Sequence, residues 1–269
     1  MSETRDVYSH GHHDSVLRSH RWRTADNSAA YLLPRLRPDD DLLDIGSGPG
    51  TITLDFASRL TSGRVVGIDN AEEAVRVAQR QADQLGAANV EFAVGDVYAL
   101  DYPDGSFDVV HAHQVLQHLS DPVSALREMR RVCKPGGLVA ARDADYAAMT
   151  WHPRSDGLTR WLDLYQRVAR SSSGEPDAGR RLRSWALEAR FAAVSATASV
   201  WCFADQADVE WWSDSWADRV TQSSFAELAV ERRLATSAEL VELSKEWRRW
   251  GAEPDAWFAI LHGEVLCTT

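Results

Sequence analysis

The chain has 269 residues, 44% of them hydrophobic, enough for one large domain or a domain carrying a cap. A formal net charge of −11 excludes a broadly basic nucleic-acid-binding face. The cysteines, Cys133, Cys202 and Cys267, are far apart and form no CxxC pair, which points to a reducing cytoplasm and away from a cysteine metal site, and no apolar run approaches the roughly 18 residues of a membrane span.

Residues 1–14 are polar and begin Met-Ser-Glu-Thr-Arg-Asp, without the apolar core of a signal peptide. His10, His12 and His13 cluster there with no acidic or cysteine partners of metal-ligand spacing, so the segment reads as an arm. Over residues 15–36, Val16, Leu17, Trp22, Ala25, Ala29, Leu32 and Leu33 recur at mixed three- and four-residue spacings, which predicts a helix ended by Pro34. Next come short apolar runs alternating with amphipathic segments. Strands are expected near 41–46, 64–69, 90–95, 106–113 and 137–143, and helices near 51–60, 71–86 and 121–133, with a weaker turn near 97–101. This alternation predicts a parallel sheet with crossovers and a ligand cleft beyond the strand C-termini. Asp44, Asp69, Asp96 and His113 all fall at strand C-termini, so one cleft gathers them. Lys134-Pro135-Gly136-Gly137 reads as a structural turn into the fifth strand.

After Tyr146 the alternation stops. Residues 155–170 and 177–191 look helical, with Ser171 to Gly174 as a loop between them; 194–203 and 257–268 look like strands. Between those strands, 206–252 looks helical and carries Trp211, Trp212, Trp216, Trp247 and Trp250. Plain packing accounts for such tryptophans; the other reading makes this insertion a lid in which one or two of them line an apolar or cationic pocket.

The densest signal is Leu42-Leu-Asp-Ile-Gly-Ser-Gly-Pro-Gly-Thr-Ile-Thr53, a strand, a loop with Gly46, Gly48 and Gly50, and a helix start. A glycine loop lets backbone approach a ligand closely, and the helix N-terminus offers unpaired N–H groups. The third glycine comes one residue early for the dinucleotide fingerprint G-x-G-x-x-G, and Asp44 would repel a pyrophosphate but not a cationic ligand. Both features speak against a nicotinamide-dependent oxidoreductase. Asp69 closes the next apolar run, about 20 residues beyond the glycines, where a carboxylate takes ribose hydroxyls. Asp96 closes the third, where it could accept a hydrogen bond from an adenine amino group.

Asp-Ile-Gly-Ser-Gly-Pro-Gly, then Gly-Ile-Asp-Asn, Gly-Asp-Val, Phe107 to Leu119 and Leu126 to Gly137 form five ordered motifs. Together they resemble an S-adenosylmethionine-dependent methyltransferase of class I, in the small-molecule branch of the ubiquinone and menaquinone biosynthesis methylases. The resemblance covers about residues 30–145. It implies an α/β, Rossmann-like three-layer sandwich on a seven-stranded, mostly parallel sheet with an antiparallel last strand, plus the helical lid. The whole chain, 1–269, is then one methyltransferase domain. Its parts are an N-terminal cap helix (1–36), a cofactor-binding core (37–145), the rest of the sheet and helices (146–205 and 253–269) and a lid insertion (206–252). For S-adenosylmethionine the resemblance implies contacts from Asp44, Gly46, Ser47, Gly48 and Gly50 in the loop and from Asp69 and Asn70 after the second strand. Gly95, Asp96 and Val97 follow after the third strand, and His113 and Gln114 after the fourth. Tyr8 would cover the cofactor as an aromatic lid, and Arg23 would pair with its carboxylate, unless the first belongs to a mobile arm and the second to a solvated face.

The sequence departs from relatives at Ser47, where many have cysteine, and in lacking Asn-Pro-Pro-Tyr after the fourth strand, where His111-Ala112-His113-Gln114 stands. The second departure disfavours adenine or glutamine-amide methylation and leaves a small-molecule O-, C- or N-acceptor, apolar or aromatic given the tryptophans. A base to deprotonate the acceptor would come from His113, His118, Asp143, Asp145 or Tyr146, each of which could equally pack or bond backbone, and a proximity-only enzyme needs none. Tyr146, Trp211 and Trp212 are the candidate acceptor-binding side chains. No metal is expected, and a homodimer is open. The competing function is a cofactor-binding sensor or partner subunit without transfer activity, since these motifs specify binding rather than turnover.

Overall fold

The computed structural model describes residues 22–269. The chain enters through α1 (Ala25–Ser28) and a 3-10 turn at Leu33–Arg35. Then follow β1 (Leu42–Ile45), α2 (Thr51–Arg59), β2 (Val65–Asp69), α3 (Glu72–Leu85), β3 (Val90–Val94) and β4 (Phe107–His113). α4 (Pro122–Val132), β5 (Cys133–Ala144), β6 (Thr150–His152), α5 (Asp156–Ser171) and α6 (Leu182–Glu188) come next. β7 (Ala193–Phe203), the helices α7 (Gln206–Gln222), α8 (Ser224–Glu231) and α9 (Ser237–Gly251), and β8 (Trp257–Thr268) complete the chain.

The sheet runs β3-β2-β1-β4-β5-β8; its pairs up to β5 are parallel, and β8 is antiparallel to β5, β6 and β7. β7 pairs with β8 along 193–203, while the other edge of β8 is shared between β5 and the short β6. β1 and β2 are covered on both faces, which is why they read as continuous apolar runs rather than alternations. The strand order reverses at β1, which pairs in parallel with both β2 and β4, so a crevice opens at its C-terminal end.

Three apolar clusters fill the molecule. On one sheet face, Ala25, Ala29 and Leu32 pack with Ile52 and Phe56 of α2 over Leu42, Val109 and Ala140. On the other, Val123, Leu126 and Met129 of α4 and Leu182 and Trp185 of α6 cover Leu43, Val110 and Val139. The third cluster joins α5 to the helices of 206–251. Trp161 stands edge-on to Trp216 at 4.4 Å and to Trp247 at 4.8 Å, and Trp212 stacks on Phe203 at 4.5 Å.

The α/β sandwich, the parallel core and the antiparallel last strand agree with the sequence reading, and so do the three helices of 206–252. Two features differ. The sheet has an eighth strand, β6, whose three residues are too few to give a periodicity. The helix expected over 15–36 does not run through its described part. Thr24 is extended and forms a reciprocal capping box with Asn27, so a helix can start only at Ala25, and it ends after one turn at Ser28. Residues 15–21 lie outside the described residues, as does Tyr8.

The tryptophans of α7 and α9 carry a core's share of packing. Trp247→Ala should lower unfolding free energy by about 3–5 kcal/mol, read from urea denaturation. Trp211, only partly buried beside Trp22, should cost clearly less on the same change. Equal losses at the two positions would contradict this picture.

Candidate active site

Gly46, Gly48 and Gly50 all have positive φ, at +68°, +53° and +87°. At Gly46 a Cβ would lie 2.4 Å from Val115 Cγ2, and at Gly50 one would lie 2.8 Å from Phe92 Cζ, so neither accepts a side chain. The loop is fixed from two sides. Below it, the buried Asp44 carboxylate accepts from Thr53 Oγ1 at 2.5 Å and meets His111 Nδ1 at 2.7 Å, tying β1 to α2 and β4. Beside it, Asp69 accepts from Gly48 N at 2.9 Å through Oδ2 and from Ala71 N at 3.0 Å through Oδ1. Each Asp69 oxygen keeps lone-pair capacity toward the crevice. Asp96 is exposed and caps its own turn through Tyr98 N at 2.9 Å; Val97 beside it is buried, Gly95 half-buried and Asn70 exposed. Ser47 Oγ is buried without a hydrogen-bond partner among the described residues. The loop, Asp69 with Asn70, and the 95–97 turn stand at the C-terminal ends of the neighbouring strands β1, β2 and β3.

Beyond β4 the crevice continues onto a polar stripe on the sheet face beneath the N-terminal segment. Register places Asp44 beside His111, His113 beside Arg142, Arg142 opposite Glu264, and Ser199 opposite His262. Glu264 accepts from Ser199 Oγ at 2.5 Å and Thr197 Oγ1 at 2.7 Å, and Ser199 Oγ in turn accepts from Arg142 Nε and Nη2, each at 3.1 Å. His262 lies 2.9 Å from Gln114 Nε2 through its Nε2 and 3.2 Å from Ile260 O through its Nδ1. That pattern fits a neutral ring protonated at Nδ1, in line with burial and Arg142 pushing its pKa well down. Burial, then Arg142 and Arg23, likewise hold His113 neutral, and burial pushes His118 down to about 3. Gln114 adopts φ +54°, a strained conformation for a non-glycine residue at the mouth of the site. Trp201 donates its indole N–H to Asn27 O at 2.6 Å and packs edge-on against Trp22 at 5.0 Å, which holds the N-terminal segment over the stripe. The Arg23 guanidinium lies 5.7 Å from the Trp201 ring, above this region.

The remaining candidates lie apart. Asp143 and Asp145 alternate with Arg142 and point to the opposite face; Asp145 is gripped by Arg180 through two hydrogen bonds of 2.6 Å. Tyr146 stacks on Tyr165 at 4.0 Å in the aromatic cap, where Trp212 is also buried. Arg142, Glu264, His262, Ser199 and Trp201 were not among the sequence candidates. Their signal was a charge within each of two apolar strands and the period-2 alternation of Thr197, Ser199 and Trp201.

A glycine loop braced by two carboxylates, at the switch point of a parallel sheet closed by one antiparallel strand, defines an S-adenosylmethionine-dependent methyltransferase of class I. Comparison with known proteins agrees. The family model described as "Methyltransferase domain" matches residues 36–204, and the chain belongs to that family. It is 34% identical to an uncharacterized methyltransferase of Schizosaccharomyces pombe, covering 99% of this chain and 98% of that protein. It is 32% identical to the ubiquinone/menaquinone biosynthesis C-methyltransferase of Ectopseudomonas mendocina over 61% of this chain and 69% of that one. Its fold is similar to that of the YcgJ protein of Bacillus subtilis, with a TM-score of 0.58 at 20% identity, covering 96% of this chain and 99% of that one.

Asp143 has a consequence for stability. Burial pushes its carboxyl from 3.8 up to about 8, against one hydrogen bond from Gln117 N at 3.2 Å. Between about pH 4 and 8 the folded state then holds a proton that the unfolded chain has lost, so this group's contribution falls as pH rises. Asp143→Asn removes that penalty. The variant should gain on the parent by up to about 1.4 kcal/mol per pH unit across the window, read from urea unfolding at several pH values. The buried histidines slope the other way but are common to both proteins and cancel in the difference. A gap independent of pH would show that Asp143 is ionised throughout.

Proposed function

We propose that this methyltransferase transfers the methyl group of S-adenosylmethionine to a small-molecule acceptor bound on the polar stripe beneath the N-terminal segment. The observation that carries the reading is Asp69, whose two oxygens are oriented by backbone N–H groups of the glycine loop and of α3's approach, facing an open crevice. The residues fit the cofactor. Asp69 and Asn70 take the ribose hydroxyls and Asp96 and Val97 the adenine, while the loop from Gly46 to Gly50, with the unpartnered Ser47 hydroxyl, lies against the methionine portion. Asp44, 2% exposed and bound to Thr53 and His111, holds that loop from below.

When bound, the cofactor supplies an activated methyl on a sulfonium. The chain supplies alignment and dryness. His113, His262 and Gln114 line the side of the crevice next to the loop. The His113 imidazole, held neutral, hydrogen-bonds an acceptor without adding charge beside the sulfonium, while His262 holds Gln114 in place. Tyr146 and Trp212, candidates for acceptor binding, are instead packed within the aromatic cap, and Trp211 lies beside Trp22. Cys133, Cys202 and Cys267 are all free thiols, which suits a reducing compartment.

Asp69→Ala should weaken S-adenosylhomocysteine binding tenfold or more, an order-of-magnitude figure for losing charge-assisted hydrogen bonds of about 1.5–3 kcal/mol each. Isothermal titration calorimetry reads it, with circular dichroism unchanged. Equal affinities would place the ribose elsewhere.

A further inference from the structure

The polar stripe holds more hydrogen-bonding capacity than its own residues use. Arg142 is 1% exposed and spends Nε and Nη2 on Ser199, yet its Nη1 has no partner among the described residues. Among the described residues His113, 6% exposed, has neither ring nitrogen paired. The Tyr31 hydroxyl, on the segment that roofs the stripe, is also buried without a partner among them. These groups belong together. His113 and Arg142 are register neighbours, and Arg142 is the charge that acts most strongly on both Tyr31 and His113. The one carboxylate opposite, Glu264, has both oxygens taken by Ser199 and Thr197 and stands 3.4 Å from Arg142 Nε, away from the unpaired Nη1. An unpaired buried guanidinium N–H costs the desolvation of a charged donor, so three such groups around one spot point to a group from outside that completes them.

We propose that the methyl acceptor enters this spot as an acid, with a carboxylate or phenolate oxygen held by Arg142 Nη1 and the Tyr31 hydroxyl and flanked by His113. The donor set decides the chemistry. A guanidinium edge and a phenolic hydroxyl both donate to one oxygen, and Arg is the side chain best matched to an oxyanion. The Trp201 ring, 4.8 Å from the Arg142 guanidinium carbon, fixes the orientation of that cation and gives a planar acceptor an aromatic wall. His113, held neutral, adds a donor at one nitrogen and an acceptor at the other without a second positive charge. This inference rests on the reading of the crevice as the methyl-transfer site, and it names the substrate class.

The test uses the full chain saturated with S-adenosylhomocysteine and calorimetric titration with two acids and their neutral counterparts. The pairs are benzoate against benzamide, and 4-nitrophenolate against nitrobenzene at a pH where the phenol is ionised. At least one acid should bind tenfold or more tightly than its counterpart, and the pair that shows it tells a carboxylate from a phenolate site. Arg142→Met should abolish that preference while S-adenosylhomocysteine affinity stays within about twofold of the parent, which also reports that the variant is folded. Should Arg142→Met fail to fold, the near-isosteric Tyr31→Phe decides, with a several-fold loss of preference for the acid and no change for its neutral counterpart. Equal binding of acids and neutral counterparts by the parent overturns the inference, as does an undiminished preference in the deciding variant. Failure of the parent to bind S-adenosylhomocysteine would instead overturn the reading of the crevice itself.

Discussion

The site depends on one buried contact, the Asp44 carboxylate held between the Thr53 hydroxyl and the His111 ring. Asp44 is 2% exposed and His111 0%, so neither group has water to fall back on, and losing one partner would leave the other buried and unsatisfied. The contact spans three elements, the end of β1, the first turn of α2 and the middle of β4. Clamping them sets where α2 begins and therefore how the glycine loop turns. The positive φ angles of that loop cost little only because its glycines have no Cβ, and at Gly46 and Gly50 a Cβ would collide with Val115 or Phe92. Asp69 then completes the loop from the neighbouring strand. Carboxylates thus shape the loop before any ligand arrives, which is preorganisation in the physical sense: the ordering is done during folding rather than on binding.

From Asp44 the polar groups continue along a single face, through His113, Arg142 and Glu264 to Ser199. A sheet face can carry such a stripe only if something covers it, and the N-terminal segment does. Its anchors are few and identifiable. Trp201 reaches Asn27 O, Asp55 receives Ala25 N at 2.8 Å, and Trp22 lies among Trp201, Phe203 and Trp211. The same ring, Trp201, therefore supports the roof through its N–H and the Arg142 cation through its face, so the acceptor side of the crevice and its cover are built on one residue.

Much of this was legible in the sequence wherever a rule of local geometry had no competitor. Three glycines between a buried apolar run and an amphipathic segment, followed by acids closing two later runs, put the loop, Asp69 and Asp96 at the C-terminal ends of parallel strands, where the structure has them. Where tertiary context decided, the sequence was silent or misleading. The periodicity of 15–36 pointed to a helix because Ala25, Ala29 and Leu32 do face the core, but Thr24 and Asn27 cap each other and cut it short. Arg142 sits in a run, Val139 to Ala144, that reads as interior strand, and nothing local says that its partner lies on β8, more than 100 residues away. Asp145 read as a candidate base that could equally bond loop backbone, and its pairing with Arg180 depends on a turn that no periodicity foretells.

The two walls of the crevice differ in what it would take to move them. The helices of 206–251 share an interior with α5 and the ends of β7 and β8, where Trp161, Trp216 and Trp247 are 0% exposed and interlock edge to face. Displacing them would expose large aromatic surface worth about 1.5–3 kcal/mol for each buried side chain, and it would disrupt the sheet edge on which they stand. The described part of the N-terminal segment rests on the small buried side chains Ala25, Ala29 and Leu32, a few hydrogen bonds, one indole cluster and an exposed ion pair, Arg59 with Asp26, and such pairs contribute at most about 1 kcal/mol. Of the two, the roof is therefore the part whose opening costs least, and the cap acts as a fixed wall. That division suits a methyltransferase. The cofactor crevice is set by the carboxylates and glycines of the core and stays constant, while the acceptor is met by a rigid aromatic wall on one side and a segment with few anchors on the other. On the proposed reading, a small-molecule acceptor reaching Arg142 and His113 would lie beneath that segment, which would also keep water from the methyl group.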